Sequence, residues 1–132
     1  GIPLGRRFRA LKLWCLVREQ GVEGLQRRLR RDLDNARWLE AQVQGAQHWR
    51  VLAPMVLQTL CLRHEPPGLA GEALDRHTLA WAERVNASGE AYVTPAVLDG
   101  RWMVRVSVGS LTTERVHVAE LWTLLRAEAE RA

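Results

Sequence analysis

The fold of this chain is decided by the stretch Leu98-Asp99-Gly100-Arg101-Trp102-Met103-Val104-Arg105-Val106-Ser107-Val108-Gly109, which carries its clearest strand pattern. Asp99-Gly100 predicts a tight hairpin, because both residues tolerate the positive φ angles that such a turn requires. After the turn, apolar side chains point to one face of the strand: Trp102, Val104, Val106 and Val108. The other face carries Arg101, Met103, Arg105 and Ser107. The sequence therefore predicts a hairpin with strands at 92–98 and 101–108.

The pattern on either side of this hairpin alternates between helix and strand periods. The predicted helices cover about 4–20, 22–46 and 72–86. Residues 49–52 and 56–63, separated at Pro54, are predicted to be two short strands or one bent strand. Gly21 is predicted to end the first helix, and either Thr112 or Thr113 to cap the last one. The first helix has apolar residues on several sides, which predicts that it is buried on more than one side.

The resulting element order is α-α-β-β-α-β-β-α. It predicts a small α/β (α+β) domain, with helices covering one face of an antiparallel sheet of about four strands. The uncovered face carries Arg105 and Ser107 and should meet another surface. With 132 residues the chain is expected to be a single domain, 1–132.

Composition restricts the classes of function. The chain is 47% apolar with a net charge of +4, and its basic residues are 18 Arg and the single Lys12. Its apolar runs fall short of the ~20 residues that span a bilayer, so a soluble, cytoplasmic protein is expected. Arginine clusters at 6–9 and 27–31 raise the alternative of a nucleic-acid-binding domain, but no recognised binding motif accompanies them.

Cysteine and histidine give no indication of a metal site or a disulfide framework. Cys15 and Cys61 lack the CxxC spacing and are expected to be small buried apolar residues. The four histidines do not form a metal-ligand pair at helical spacing, so structural or surface roles are expected for each: His48, His64, His77 and His117.

Five ordered motifs resemble the group II pyridoxal-phosphate (PLP) decarboxylases, in the branch of aromatic-L-amino-acid decarboxylase. They are the opening run 2–14 with its Leu-Gly-Arg-Arg-Phe core, 21–26 (GV-x-GLQ), Leu60-Cys61-Leu62-Arg63, the hairpin stretch 98–109, and 113–118 (T-E-x-x-H-V). The resemblance implies the C-terminal domain of a homodimeric fold-type-I PLP enzyme. Residues 1–20 would be the linker helix to a PLP-binding large domain, which is expected to be absent from this chain.

The resemblance also implies roles for particular residues. Leu4 and Gly5 would lie in the neighbouring subunit's substrate pocket, where glycine leaves room for an aromatic ring. The alternative is that Gly5 serves only the backbone at the start of a helix. Arg6 and Arg7 are expected at the domain or dimer boundary. Arg105 is expected in a buried structural pair facing the large domain, with direct substrate contact as the alternative.

Catalytic residues are not expected in this chain. In the family, the lysine that binds PLP, the aspartate at the ring nitrogen and the histidine stacked on the ring belong to the large domain. Lys12 follows Arg9-Ala10-Leu11 inside a predicted helix, unlike the family's cofactor lysine.

The leading hypothesis is therefore the C-terminal domain of a PLP-dependent aromatic L-amino-acid decarboxylase, a carboxy-lyase that releases CO2 to give an amine. The domain would be inactive alone and would bind no PLP by itself. The alternative is a stand-alone, decarboxylase-derived interaction or dimerisation module without activity.

Overall fold

A computed structural model describes residues 8–131 of the chain, which divides into two compact units, 1–31 and 32–132. Helix α1 (Arg9–Gly45) begins in the first unit and ends in the second. Gly21 interrupts the helix with a non-helical backbone, φ 65° and ψ 173°. The helix break predicted at Gly21 is therefore present, although the chain resumes helical geometry directly after it.

The first unit exposes apolar residues of α1, and also Phe8 directly before the helix. Phe8 is 74% exposed, Leu13 62% and Trp14 60%. The prediction that this helix is buried on more than one side is wrong for the chain by itself. Apolar periodicity shows that a face is suited to burial, whereas its burial depends on a covering surface.

The second unit is built on a four-stranded antiparallel sheet with the strand order β1-β2-β4-β3. Its elements are β1 (Trp49–Val51), β2 (Thr59–His64), α2 (Gly71–Ser88), β3 (Thr94–Leu98), β4 (Arg101–Ser107) and α3 (Arg115–Glu130). The predicted fold class is confirmed, and so is the element order from β1 onward; the two helices predicted before β1 form the single helix α1, interrupted at Gly21. The tight turn is also confirmed, since Asp99 and Gly100 have φ angles of 51° and 75°.

The core lies between the sheet and the helices. In the central pair of strands, Leu60 lies opposite Val106 and Leu62 opposite Val104, and all four are at least 97% buried. Three helices cover this face with buried side chains: Ala36, Leu39 and Val43 of α1, Trp81 and Val85 of α2, and Val118, Trp122 and Leu125 of α3. The predicted stripe of α2, residues 74, 78, 81 and 85, is entirely buried.

Side-chain amides and carboxylates fix the connections around the sheet. Asn86 exchanges two hydrogen bonds with the backbone of Val93, at 2.9 and 2.7 Å, and so closes the loop between α2 and β3. Asp75 on α2 accepts a hydrogen bond from the backbone N–H of Trp102 at 3.0 Å. These contacts satisfy backbone groups at the two ends of the β3–β4 hairpin.

The last helix begins differently from the prediction. Its N-cap is Glu114, not Thr112 or Thr113. The backbone N–H of Glu114 donates to Nδ1 of His117 at 3.0 Å, which is the reciprocal half of a capping box. The spacing of Glu114 and His117 in the T-E-x-x-H-V motif thus has a structural cause.

Among residues 8–131, no helix is long and apolar enough to cross a membrane.

The turn at Gly100 provides a test of the hairpin. Replacing Gly100 by valine should lower the free energy of unfolding by about 1–2 kcal/mol, because a β-branched residue is strained at positive φ. Urea unfolding followed by circular dichroism measures the loss. Gly100→Asn is the matched control, since asparagine tolerates this backbone conformation, and equal losses for both variants would contradict the explanation.

Candidate functional site

Four of the five predicted site residues, Leu4, Gly5, Arg6 and Arg7, lie outside the described residues. The fifth, Arg105, lies in the middle of β4, on the sheet face away from the core. Its neighbours in register are Cys61 on β2 and Thr94 on β3. The structure thus gives a position for one of the five.

Arg105 is exposed and makes no hydrogen bond or ion pair with any other described residue. Arg63 on the neighbouring strand behaves differently: its side chain is 15% exposed and is bound to Glu65. The buried pair expected for Arg105 is thus not made within residues 8–131. Although its register neighbours Cys61 and Thr94 are half-buried, Arg105 itself is exposed, so its guanidinium is accessible to a surface from elsewhere.

Lys12 is the residue on which any covalent PLP site in this chain would depend, since it is the only lysine. It is exposed on α1 and makes no hydrogen bond or ion pair within the described part of the chain. A PLP site needs an acidic or basic partner for the pyridine nitrogen and donors for the phosphate, arranged around the lysine. Lys12 has no such partner among the described residues, so the residues present do not fit the cofactor.

This mismatch can be tested chemically. Borohydride reduction of the 132-residue chain after incubation with PLP should leave Lys12 without a stoichiometric adduct, because nothing holds the cofactor against the amine. Peptide mass spectrometry measures the modification, with Lys12→Arg as the blank. A stoichiometric adduct at Lys12 would contradict the assignment.

The second unit contains a different concentration of ionisable and aromatic side chains. They line an open cleft of about 920 Å³ between the start of β1, the end of β2, α2 and the end of α3. The side chains that matter to its chemistry are His48, Trp49, His64, His77, Trp122 and Glu130. The cleft therefore brings three histidines, two tryptophans and a glutamate together in one place.

His64 and His77 are bound to each other inside this cleft. Nδ1 of His64 lies 3.0 Å from Nε2 of His77, and the ring centroids are 5.2 Å apart. The two ring centroids are farther apart than the two nitrogens by about two ring radii, which is the largest difference possible. Both nitrogens therefore lie close to the line that joins the ring centroids. That alignment is the geometry of a linear N–H···N hydrogen bond.

An aromatic cluster supports the buried member of the pair. Trp49, which pairs with His64 across the two strands, has its ring centroid 5.0 Å from that of His64. It also contacts Trp81 at 5.7 Å and Trp122 at 5.0 Å, both edge to face. Because His64 is only 6% exposed, these indole rings replace most of its water.

The surroundings favour the neutral form of both rings. Burial lowers the pKa of His64 below its ordinary value of 6.5, His77 and His48 lower it further, and Glu130 opposes them. Burial also lowers the pKa of His77, with a further contribution from the positive charge of Arg84. Two neutral imidazoles can share one N–H, whereas two imidazoliums cannot.

Sequence reasoning missed this pair because it judged the histidines by their spacing in the chain. A usable signal was present: His64 follows Leu60 and Leu62 on the inward face of β2, and His77 lies one turn from Leu74 and Trp81 on α2. The expectation of no metal site is a separate matter. In the part of the chain that the structure describes, no three His, Cys, Asp or Glu side chains are placed to hold a metal ion.

Comparison with known proteins gives consistent matches. Residues 1–65 match the family model of the pyridoxal-dependent decarboxylase conserved domain. A tryptophan decarboxylase of Camptotheca acuminata is 36% identical over 98% of this chain, and a phenylacetaldehyde synthase of a Rosa hybrid cultivar is 34% identical over 98%. The chain spans 26% and 27% of the length of these relatives, respectively.

The fold has a match among solved structures too. The crystal structure of Oryza sativa TDC with PLP and tryptamine superposes with a TM-score of 0.88 and 34% identity. The match covers 97% of this chain and 28% of that one. Both units of the chain thus fall within a region of a larger PLP-containing structure.

Proposed function

Since this chain belongs to the pyridoxal-dependent decarboxylase family, we propose that it forms the C-terminal domain of a homodimeric, cytoplasmic PLP enzyme that decarboxylates an aromatic L-amino acid. The observation that carries the proposal is the match to Oryza sativa TDC over 97% of this chain but only 28% of that one. The free thiols of Cys15 and Cys61 are consistent with a reducing compartment.

In this proposal, PLP and the bond-breaking chemistry belong to the remainder of the enzyme. The exposed position of Lys12 supports this division. The chain alone is then inactive. Its contribution is to complete the substrate pocket of the neighbouring subunit with Leu4 and Gly5, and to fix the domain boundary with Arg6 and Arg7.

Two open surfaces of the described chain support a boundary with a larger body. The apolar side chains of α1 are one, with Leu11 50% and Trp14 60% exposed. Apolar surface of this kind usually marks an interaction site. The other is the outer face of the sheet, where exposed Arg105 makes no hydrogen bond or ion pair with another described residue. We propose that α1 contacts the rest of the enzyme and the second subunit. We also propose that Arg105 forms an ion pair with a carboxylate on the large domain.

The names of the relatives state different reactions. This difference indicates which feature of the reaction a domain similar to both relatives could determine. A tryptophan decarboxylase and a phenylacetaldehyde synthase match it at 36% and 34% identity. Both names refer to substrates or products with an aromatic ring. The C-terminal domain is therefore better suited to defining the class of side chain accepted than the fate of the amine.

Gly5 offers a direct test of the proposed pocket. This chain can replace the segment of Oryza sativa TDC that it matches, and kcat/KM of the hybrid enzyme for L-tryptophan can be measured by CO2 release. Gly5→Ser should lower kcat/KM about tenfold or more, because the added hydroxymethyl group occupies space left for the ring. Gly45→Ser is the matched control, since a Cβ at Gly45 meets no atom within 4 Å. Unchanged kcat/KM in Gly5→Ser would reject the pocket role.

The proposed boundary predicts self-association of the chain by itself. Light scattering of the 132-residue chain should show a dimer or larger species, because α1 presents uncovered apolar side chains. Leu11→Glu combined with Trp14→Glu should shift it toward monomer. Val116→Glu, at a residue 55% exposed on α3, should leave it unchanged. A clean monomer of the unaltered chain at high concentration would count against the boundary.

A further inference from the structure

We propose that the hydrogen bond between His64 and His77 is a proton-operated lock, which fixes α2 to β2 when both rings are neutral and releases the wall of the aromatic cleft when both are charged. This inference rests on the second unit alone and does not depend on the proposed enzymatic role.

The position of the pair suits a lock. The bond joins the last residue of β2 to the second turn of α2, 13 residues apart in the sequence. His64 is buried against Trp49, whose ring also touches Trp81 of α2 and Trp122 of α3. A change at this bond therefore acts on rings from two strands and two helices. Protons reach the pair through the cleft, which both imidazoles line.

The proton count determines when the lock opens. In the neutral pair, one facing nitrogen donates its N–H and the other accepts it. A first added proton can occupy the outward nitrogen of the donor ring, which leaves the bond intact and gives it a charge. A second proton must occupy the accepting nitrogen, so that two N–H groups and two positive charges face each other. Release therefore requires two protons.

The charged groups around the pair oppose this second proton. Those that face it from the surrounding elements are His48 before β1, Arg84 on α2, Arg126 and Glu130 on α3, and Arg131 after α3. Glu128 is already paired with two of these arginines, Arg84 at 3.2 Å and Arg131 at 2.9 Å. Glu130 is the carboxylate that raises the pKa of His64, and it lies 4.0 Å from the guanidinium of Arg126. One carboxylate already shared with an arginine can balance one imidazolium, but not two.

The sign of the pH dependence follows. Burial and positive neighbours hold the pKa values of both histidines below 6.5 in the folded chain. As the pH falls through 6.5, the unfolded chain takes up these protons first, and the folded state loses stability. The loss continues until the folded-state pKa values are reached. Above about pH 7 the contribution of the pair is complete.

The experiment compares urea unfolding of the 132-residue chain with that of His77→Gln from pH 8 to pH 5. Glutamine keeps a hydrogen-bonding amide and suits a helix, but it does not titrate. We expect a difference as the pH falls from 6.5 to the folded-state pKa values. For each pH unit, the equilibrium constant for unfolding should rise about tenfold more in the unaltered chain than in His77→Gln, because the unaltered chain takes up one more proton on unfolding. His117→Gln is the matched control, because it removes a histidine outside the cleft and preserves the capping position. It should behave like the unaltered chain.

Nitrogen-15 NMR of the imidazoles in the unaltered chain decides the question even if a variant fails to fold. The lock requires His64 and His77 to titrate below pH 6.5, with the second protonation accompanied by shifts of the Trp49 and Trp122 indole signals. Independent titration of the two rings at or above pH 6.5 would overturn the proposal. So would equal pH dependence of unfolding in His77→Gln and the unaltered chain.

Discussion

The antiparallel pairing of β2 with β4 is the constraint on which the rest of the described structure depends. These two strands are distant in sequence but central in the sheet, and each contributes two nearly inaccessible aliphatic residues to the core: Leu60 and Leu62, Val104 and Val106. Burying a side chain of this size contributes about 1.5–3 kcal/mol. All three helices pack against the face that these residues form, so a shift of register by one residue would turn the core outward.

The cleft is a consequence of the same register. Because β1 pairs with β2 so that Trp49 lies opposite His64, the indole meets the imidazole on the helix-covered face. The position of α2 over the sheet then brings His77 within 3.0 Å of His64. A pair of polar rings is stable in this position because the facing nitrogen of each ring is the hydrogen-bond partner of the other. The arrangement also makes the local packing sensitive to protons, since the shared N–H exists only while one facing nitrogen is unprotonated.

The two faces of the sheet have different roles. The covered face carries the buried core of the second unit. The opposite face leaves Arg105 exposed without a partner among the described residues, and α1 exposes Leu13 and Trp14 in the first unit. These surfaces are the ones expected of a domain that completes a larger body, and the chain spans about a quarter of the length of the relatives it matches. Among the described residues, Lys12 has no neighbours that fit PLP, which agrees with the proposal that the cofactor is held elsewhere in a larger enzyme.

Local chemistry in the sequence determined the hairpin, the buried stripe of α2 and the order of the elements. Asp99-Gly100 accepts positive φ, and the alternation of Val104 and Val106 has the period of a strand, so no distant contact was needed to recognise either. Family membership was likewise readable from short ordered motifs. Tertiary structure decided whether the apolar side chains of α1 are covered, and which residue caps the last helix. It also decided that His64 meets His77. Burial and pairing depend on which surfaces come together in space. Spacing along the chain predicts a side-chain pair only when both residues belong to the same helix or strand.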